Sequence, residues 1–349
     1  MKKEDSVALQ GFAVLIMMLL HFFLDIRVYR ENFFWFPEIF QRFAWMGRMC
    51  VGIYSFVSGY GMYQVLKKKD SLTGMTIDCI KRLLSLYARL FLVIILCVYL
   101  PRFILGEEIL ISQLPGNLFG YNAVYNGAWW FVFEYMWFML LTPILAILVD
   151  SRVKKGVRVL LTLGLFALAL FGKGIIFTNV EVVEFFEVRM QPTFMFMFAE
   201  GFGAGKIQEV AGKMRYSSKL REFVRRVRYP KVGAVLCFVA LSLRYLYSAD
   251  PYRANADILL VPLLCCGASL YFRSVYSLKK VLFFFGQNSL YLWFVHNLVY
   301  DRLFHFLVQR VGYWLVFYLV MLVVCLILSI LLRYVEKLLK MVKGKLRVR

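Results

Sequence analysis

Ten stretches of the chain are apolar, and most of them have the length of about 17 to 25 residues with which an α-helix crosses a bilayer. Hydrophobic residues make up 61% of the sequence, far more than in soluble domains. The sequence therefore predicts an all-α, polytopic membrane protein with about ten transmembrane helices. The predicted spans lie near residues 6–24, 44–66, 83–101, 129–149, 157–177, 192–205, 232–247, 256–272, 281–300 and 312–334.

The basic residues concentrate in alternate segments between these spans. If the N-terminus lies in the cytoplasm, the cytoplasmic segments contain 30 of the 42 Lys and Arg residues. Short cytoplasmic loops are enriched in positive charge, so this distribution predicts that both termini are cytoplasmic. The net charge of +21 then reflects topology and attraction to anionic lipid at the cytoplasmic face. We expect no nucleic-acid partner.

The seven cysteines lie in or beside the apolar spans, with no Cys-x-x-Cys pair and no histidine at ligand spacing. We interpret them as small buried hydrophobic residues and predict neither a metal site nor a disulfide framework. Lys2 and Lys3 precede the first span as they would in a signal peptide, but no small-residue cleavage site follows that span. We therefore expect the first helix to remain uncleaved.

His21 lies near the end of the first predicted span. A titratable side chain within a span is costly unless it faces the protein interior or a wet cavity, which makes it a candidate functional residue. Asp25 follows four residues later, and on a continuous helix its carboxylate would share a face with the imidazole. This spacing predicts that Asp25 fixes the tautomer of His21 and favours its protonated form. The alternative is a core histidine satisfied by a neighbouring helix.

His296 is predicted to lie at the same membrane depth as His21. It follows Val281 by fifteen residues on the ninth span, and His21 follows Ser6 by fifteen residues on the first. Both spans run outward in the predicted topology, so equal offsets give similar positions along the two helices. Because the chain has only three histidines, this coincidence makes His296 a second candidate catalytic residue.

Two arginines occupy the third predicted span. Arg82 stands at its start, where an interfacial anchor would stand, and Arg89 is two turns deeper on the same face. An arginine at the depth of Arg89 requires a carboxylate, carbonyl groups or an anionic ligand. Two interpretations therefore remain for Arg89, a structural ion pair and a contact with the phosphate of a ligand.

Glu134 lies about one turn inside the fourth predicted span, after Trp129 and Trp130. One interpretation makes it the partner of Arg48 or of another buried cation. The other makes it a general base, or the group that orients one of the histidines. The sequence does not choose between them.

Four stretches together resemble the acyltransferase-3 family of integral membrane acyltransferases. They are the first span ending in His21, the FVSGY segment at 56–60, the Gly-x-x-Trp start of the fourth span with its later proline, and a Gly-x-x-Ser followed by a histidine. The residues that carry the last two stretches are Gly127, Trp130, Pro143, Gly286, Ser289 and His296. The resemblance implies one transmembrane acyltransferase domain over residues 1–349, with a family-like core at about 6–300 and a last helix and basic cytoplasmic tail at 312–349.

The sequence departs from the family pattern at three places. Gln10 stands where the family usually has an arginine, eleven residues before the histidine. Of the family's paired arginines at the start of the third helix only Arg82 is present, with Ser85 in the second place. Glu134 falls one residue short of the family's usual acidic position. These departures concern the donor side more than they concern His21.

The resemblance implies transfer of an acyl group, usually acetyl, from cytoplasmic acetyl-coenzyme A to a hydroxyl of a cell-surface polysaccharide or lipid-linked sugar. We expect His21 to act as general base or acyl relay, with Asp25, His296 and Glu134 as further catalytic residues. We expect Arg82, Arg89, Gln10 and Ser58 to form the donor site. The protein would then be a multi-pass protein of a bacterial plasma membrane with a carbohydrate acceptor and an acyl-CoA donor.

Two questions stay open in the sequence. The acyl group either reaches the acceptor directly, through a cavity that admits the pantetheine arm, or passes through a covalent acyl-histidine. The same intramembrane charges also suit a transporter or flippase for a lipid-linked sugar, which would use them as a proton or substrate pathway. Such transporters often contain inverted repeats, and the sequence has no evident internal repeat.

Overall fold

The apolar stretches form helices. A computed structural model describes residues 1–69, 71–150, 153–172, 191–213, 230–248 and 256–347, and every regular element within those ranges is helical. The predicted all-α class is therefore confirmed. The helices are α1 (Lys3–Phe22), α2 (Pro37–Met46), α3 (Cys50–Leu66), α4 (Leu72–Val93), α5 (Leu100–Leu105), α6 (Leu114–Phe119), α7 (Trp130–Val149), α8 (Lys155–Gly172), α9 (Pro192–Lys213), α10 (Pro230–Leu246), α11 (Asp257–Tyr271), α12 (Tyr276–Arg310) and α13 (Trp314–Arg347).

Four helical segments of the described chain are long and apolar enough to cross a membrane. They are Lys3–Phe22, Leu72–Leu105, Gly127–Val149 and Trp314–Val342, and the shorter Asp257–Tyr271 is also apolar. The second of these segments joins α4 to α5 through a π-helical stretch at Ile94–Tyr99. Each of the ten predicted spans overlaps a helix, but ten crossings and cytoplasmic termini remain predictions. Most of the basic segment 206–231 lies outside the described residues.

Helices α1 and α12 approach each other at two glycines. A Cβ atom on Gly11 would lie 1.8 Å from the carbonyl oxygen of Leu282, and one on Gly286 would lie 1.8 Å from the carbonyl oxygen of Val7. No side chain fits at either position, so the two backbones are in direct contact. Small residues permit such close approach in membrane bundles, where packing contributes more than the hydrophobic effect does.

A second glycine contact joins α3 to α9. A Cβ atom on Gly59 would lie 1.9 Å from the carbonyl oxygen of Phe198, and one on Gly201 would lie 1.9 Å from that of Phe56. These contacts hold α3 and α9 together on one side of the bundle.

Helix α13 packs beside α1 and α12. The hydroxyl of Tyr318 donates a hydrogen bond to the carbonyl oxygen of Leu15 at 3.0 Å, and the hydroxyl of Ser329 donates to the carbonyl oxygen of Asn288 at 3.2 Å. The last helix is therefore part of the same bundle core. It carries Arg333, Glu336 and Lys340 towards α4 and α12, where they contribute to the site described below.

We predict that Gly286→Ala destabilises the protein by about 1 to 3 kcal/mol, the usual cost of overpacking a core, because the new Cβ would collide with a backbone oxygen. Thermal unfolding of the purified protein measures this change. Gly61→Ala is the matched control, since no atom lies within 4 Å of a Cβ at that position. Equal melting temperatures for the two variants would contradict the close contact between α1 and α12.

Candidate active site

His21 and His296 lie side by side. Their ring centroids are 4.9 Å apart with an angle of 58° between the ring planes. Each histidine follows a contact glycine, Gly11 or Gly286, by ten residues on its own helix. The glycine contact thus sets the register between α1 and α12, and the equal offsets bring the two rings to the same level. The predicted common depth of the two histidines is confirmed.

The environment of His296 determines its tautomer. Its side chain is fully buried, and its Nδ1 atom lies 2.7 Å from the carbonyl oxygen of Trp293. A carbonyl oxygen only accepts hydrogen bonds, so the neutral ring carries its proton on Nδ1. The Nε2 atom is buried and has no hydrogen-bond partner in the part of the chain that the structure describes. His296 therefore presents an unpaired acceptor beside His21.

A group of polar contacts fixes the turn of α12 that carries His296. The side chains of Asn126 and Trp129 each donate a hydrogen bond to the carbonyl oxygen of Phe294 at 3.0 Å. The indole of Trp293 donates to the carbonyl oxygen of Ala128 at 3.1 Å, and Asn297 donates to the side-chain oxygen of Asn126 at 3.0 Å. The segment before α7 is thus bound to α12 on either side of the histidine. The sequence analysis did not identify Asn126, which has no catalytic motif of its own.

His21 lines a large cavity of about 1070 Å³. Binding pockets for small molecules commonly measure about 300 to 1,000 Å³, so this cavity has room for a large ligand. Gln10, Met17 and Leu20 line it along α1 together with His21. From Gln10 to His21 the helix rises about 16 Å at 1.5 Å per residue, which gives a minimum length for the cavity. Ser58 on α3 also lines it.

The end of the cavity away from His21 is rich in positive charge. We call it the cationic end, and it contains the side chains of Arg82, Arg89, Arg333 and Lys340 together with one carboxylate, that of Glu336. Asn288 accepts a hydrogen bond from Arg333 at 2.7 Å and precedes His296 by eight residues, about 12 Å along α12. The cavity therefore connects a cluster of cations with His21.

Glu336 joins several groups at the cationic end. Its carboxylate accepts a hydrogen bond from Arg89 at 2.9 Å and from the hydroxyl of Tyr291 at 2.8 Å, and Lys340 pairs with it as well. Of the two interpretations of Arg89, the structure contains the ion pair. Arg89 also lines the cavity, so the pair faces the space in which a ligand would bind. The ion pair joins residues 247 positions apart, and the sequence analysis did not identify Glu336.

Arg82, Gln10 and Ser58 lie at the cavity wall, consistent with the donor-site prediction, whose function remains untested. Arg82 lies beside the hydroxyl of Tyr135 and has no carboxylate partner among the described residues. The hydroxyl of Tyr54 donates a hydrogen bond to the carbonyl oxygen of Gln10 at 3.2 Å. A neutral amide therefore occupies the place where the family usually has an arginine, and the positive charge comes from Arg333 and Lys340 on the last helix.

The predicted pairing of Asp25 with His21 is wrong, because α1 ends at Phe22 and the two residues do not share a helical face. Asp25 instead caps a short 3-10 helix, Ile26–Val28, and binds Arg27 through its side chain at 2.8 Å. This hydrogen bond with Arg27 lowers the pKa of Asp25 from 3.8 to about 2. The carboxylate is partly exposed and serves the turn that follows the helix.

Glu134 is fully buried but does not line the cavity wall that contains His21. Its Oε2 atom accepts a hydrogen bond from the backbone N–H of Gln191 at 3.0 Å, just before α9 begins. Its Oε1 atom has no partner among the described residues. The predicted ion pair with Arg48 or another cation is therefore wrong within those residues, since Glu134 binds the backbone at the start of α9. Its predicted catalytic role has no support from a contact with either histidine.

The comparisons with known proteins agree with this geometry. The acyltransferase-3 family model, described as an acyltransferase domain, matches residues 7–334. The chain belongs to the acyltransferase-3 family. The match extends beyond residue 300, where the resemblance in the sequence ended, and includes Arg333, the first of the α13 residues of the cationic end. This membrane protein is accordingly an acyltransferase. Comparisons with curated proteins and with solved structures give no match.

We predict that Asp25→Asn leaves acyl transfer within about twofold of wild type, because its carboxylate contacts Arg27 and not the imidazole. A purified preparation assayed for release of free coenzyme A measures the rate. If Asp25→Asn instead reduced transfer by the 10²- to 10⁴-fold that a general base contributes, the orienting role drawn from the sequence would be right after all.

Proposed function

We propose that this acyltransferase moves an acetyl group from cytoplasmic acetyl-CoA to a hydroxyl of a cell-surface polysaccharide or lipid-linked sugar, and that it works in the plasma membrane of a bacterium. The observation that supports this proposal best is the single cavity that contains four cations at one end and His21 at the other. A donor with several phosphates and a thioester at the tip of an uncharged arm matches that distribution of charge.

The cationic end would hold the phosphates of the donor. Arg82 has no carboxylate partner within the described residues, and Arg333 donates a hydrogen bond to a neutral amide, Asn288. Charge-assisted hydrogen bonds from arginine to phosphate are short and strong, and the planar guanidinium binds two oxygens at once. The positive-inside distribution of charge predicts that this end of the cavity faces the cytoplasm, where acetyl-CoA is found.

The acceptor would react beside His21. A sugar hydroxyl is a weak nucleophile, so a neutral imidazole within hydrogen-bond reach takes its proton as the oxygen attacks the thioester carbonyl. The new bond joins the sugar oxygen to the acetyl carbon, and the carbon–sulfur bond breaks. The proton held by His21 then passes to the leaving thiolate, which departs as free coenzyme A. The continuous cavity favours this direct transfer over a covalent acyl-histidine.

His296 would act as a positioning residue for His21. Its Nε2 atom is an acceptor without a partner in the described part of the chain, and the two rings are in contact. An N–H of His21 directed at this acceptor would leave the other nitrogen of His21 free as a base. The same contact would stabilise the imidazolium that forms when His21 takes the proton. This is the role that the sequence had suggested for Asp25.

The alternative of a transporter for a lipid-linked sugar is disfavoured by the family assignment. A transporter needs a sealed compartment to show its activity, whereas an acyltransferase consumes acetyl-CoA as a purified protein in detergent. That assay is therefore the first test of the proposal.

We predict that His21→Ala reduces acetyl transfer by about 10²- to 10⁴-fold, the contribution of a general base. His296→Ala is expected to reduce kcat with little change in either KM, because it acts through His21 and contacts no substrate. O-acetyl groups formed on added saccharide acceptors, measured by mass spectrometry, report both rates. His305→Ala is the control, since this histidine is not among the residues that line the cavity. Equal rates for the His21 variant and the control would refute the proposal.

We predict that Arg333→Gln raises the KM for acetyl-CoA by about 10- to 100-fold, the range of one hydrogen bond to a charged group, with a smaller effect on kcat. Steady-state rates at varied acetyl-CoA concentration measure it. Arg310→Gln on α12 is the matched control, because Arg310 does not line the cavity. An effect on the acceptor KM alone would place the donor phosphates elsewhere.

A further inference from the structure

A further basic residue, Arg48, lies in the cavity wall at the level of His21 and apart from the cationic end. Gly47, which directly precedes Arg48, lies against the carbonyl oxygen of Ile16 and the Cβ atom of Leu20, the residue directly before His21. Arg48 lines the cavity together with Met17, Leu20 and His21. We call this region the histidine end of the cavity. Arg48 is thus placed where the acceptor would react and away from the cationic end.

Asp257, an acidic residue in the cavity wall, is already paired. Asp257 lines the cavity, and its carboxylate binds the guanidinium of Arg244 at 2.8 Å, with both side chains nearly inaccessible to solvent. Both charges lie within electrostatic range of Cys50, two residues after Arg48. A buried carboxylate that is paired with one arginine neutralises that arginine and does not also neutralise a second cation nearby.

The charge of Arg48 is therefore left unbalanced. Arg48 feels the like charge of Arg244, and within the described residues it has no carboxylate partner. The guanidinium carbon of Arg48 lies 5.7 Å from the ring centroid of Trp45. The guanidinium is half-buried and opens into the cavity. An unpaired cation in the wall of a half-open cavity attracts an anionic ligand, because the low dielectric of the surrounding protein strengthens the interaction.

We propose that the acyl acceptor carries an anionic group, a carboxylate or a phosphate, and that Arg48 binds this group while His21 acts on a neighbouring hydroxyl. This assignment rests on the proposed function, since it names the substrate class of the same site. The planar guanidinium suits either anion, because both present two oxygens at the spacing of its N–H groups. The acceptor is then an acidic sugar or a phosphorylated sugar, and a neutral glycan fits less well.

The test uses three acceptors that differ only at C6: 6-deoxyglucose, glucuronate and glucose 6-phosphate. Purified protein in nanodiscs receives acetyl-CoA, and O-acetylated products are quantified by mass spectrometry. We expect kcat/KM to be about 10- to 100-fold higher for at least one charged acceptor than for 6-deoxyglucose, the range of one hydrogen bond to a charged group. A preference for only one anion would show whether the carboxylate or the phosphate is the natural group.

Arg48→Gln is expected to reduce this preference to about twofold or less, and Arg48→Lys to retain part of it, because lysine keeps the charge without the planar fork. Arg42→Gln on α2 is the matched control, since Arg42 is exposed and does not line the cavity. The melting temperature of each variant is also measured, because a lowered value would reveal a loss of folding. A variant that melts like wild type but has lost the preference has lost selectivity, and the rates of Arg48→Lys and Arg42→Gln provide the comparison.

Several results would overturn the assignment. An unchanged preference in Arg48→Gln would remove Arg48 from the acceptor site, and a raised KM for acetyl-CoA would make it a donor contact. An effect that appears in nanodiscs of anionic lipid and disappears in zwitterionic lipid would make it a lipid anchor. Equal transfer to all three acceptors would refute the anionic acceptor alone, whereas consumption of no acetyl-CoA with any acceptor would refute the proposed function itself.

Discussion

The direct backbone contact between α1 and α12 determines the geometry of the site. Gly11 and Gly286 allow two helices that are distant in sequence to touch without intervening side chains. Ten residues further along each helix, the histidines meet at 4.9 Å between ring centroids. The glycines themselves perform no chemistry. They fix the distance and the register between α1 and α12, and therefore the distance between the two histidine rings. Loosely packed helices would fix neither.

The polar groups buried around His296 are hydrogen-bonded, with one exception. A buried polar group costs free energy unless it is hydrogen-bonded, and the Nδ1 atom of His296 and the side chains of Asn126 and Trp129 all have hydrogen-bond partners. The Nε2 atom of His296 is the exception among them. Under the proposed mechanism, this unpaired acceptor beside the cavity-lining imidazole would receive a hydrogen bond from His21 when His21 carries the proton of the acceptor hydroxyl.

The sequence predicted the histidine pair because helical rise is regular, so that offsets along two parallel spans translate into depth. It failed for Asp25 because one more turn of α1 was assumed, whereas the helix ends at Phe22 and Asp25 caps the next turn. The sequence did not identify the partner of Arg89 for a different reason. Spacing arguments relate residues on one element, and Glu336 comes from a helix at the other end of the chain. The interpretations of Glu134 also missed its partner, because that partner is a backbone N–H, which no side-chain pattern reveals.

The two ends of the cavity differ in charge, and this difference would separate the two proposed substrates. Four cations and one carboxylate at the cationic end favour a ligand with several negative charges, whereas the histidine end has one unbalanced arginine beside a neutral imidazole pair. Coulombic attraction in a low-dielectric space favours the most highly charged ligand at the most highly charged site. Under the proposed function, a polyphosphate donor would bind at the far end, and only its uncharged arm would reach His21. The proposed acceptor would occupy the end with the single charge. Because each substrate would be drawn to a different end, the thioester and the hydroxyl would meet at the imidazole of His21.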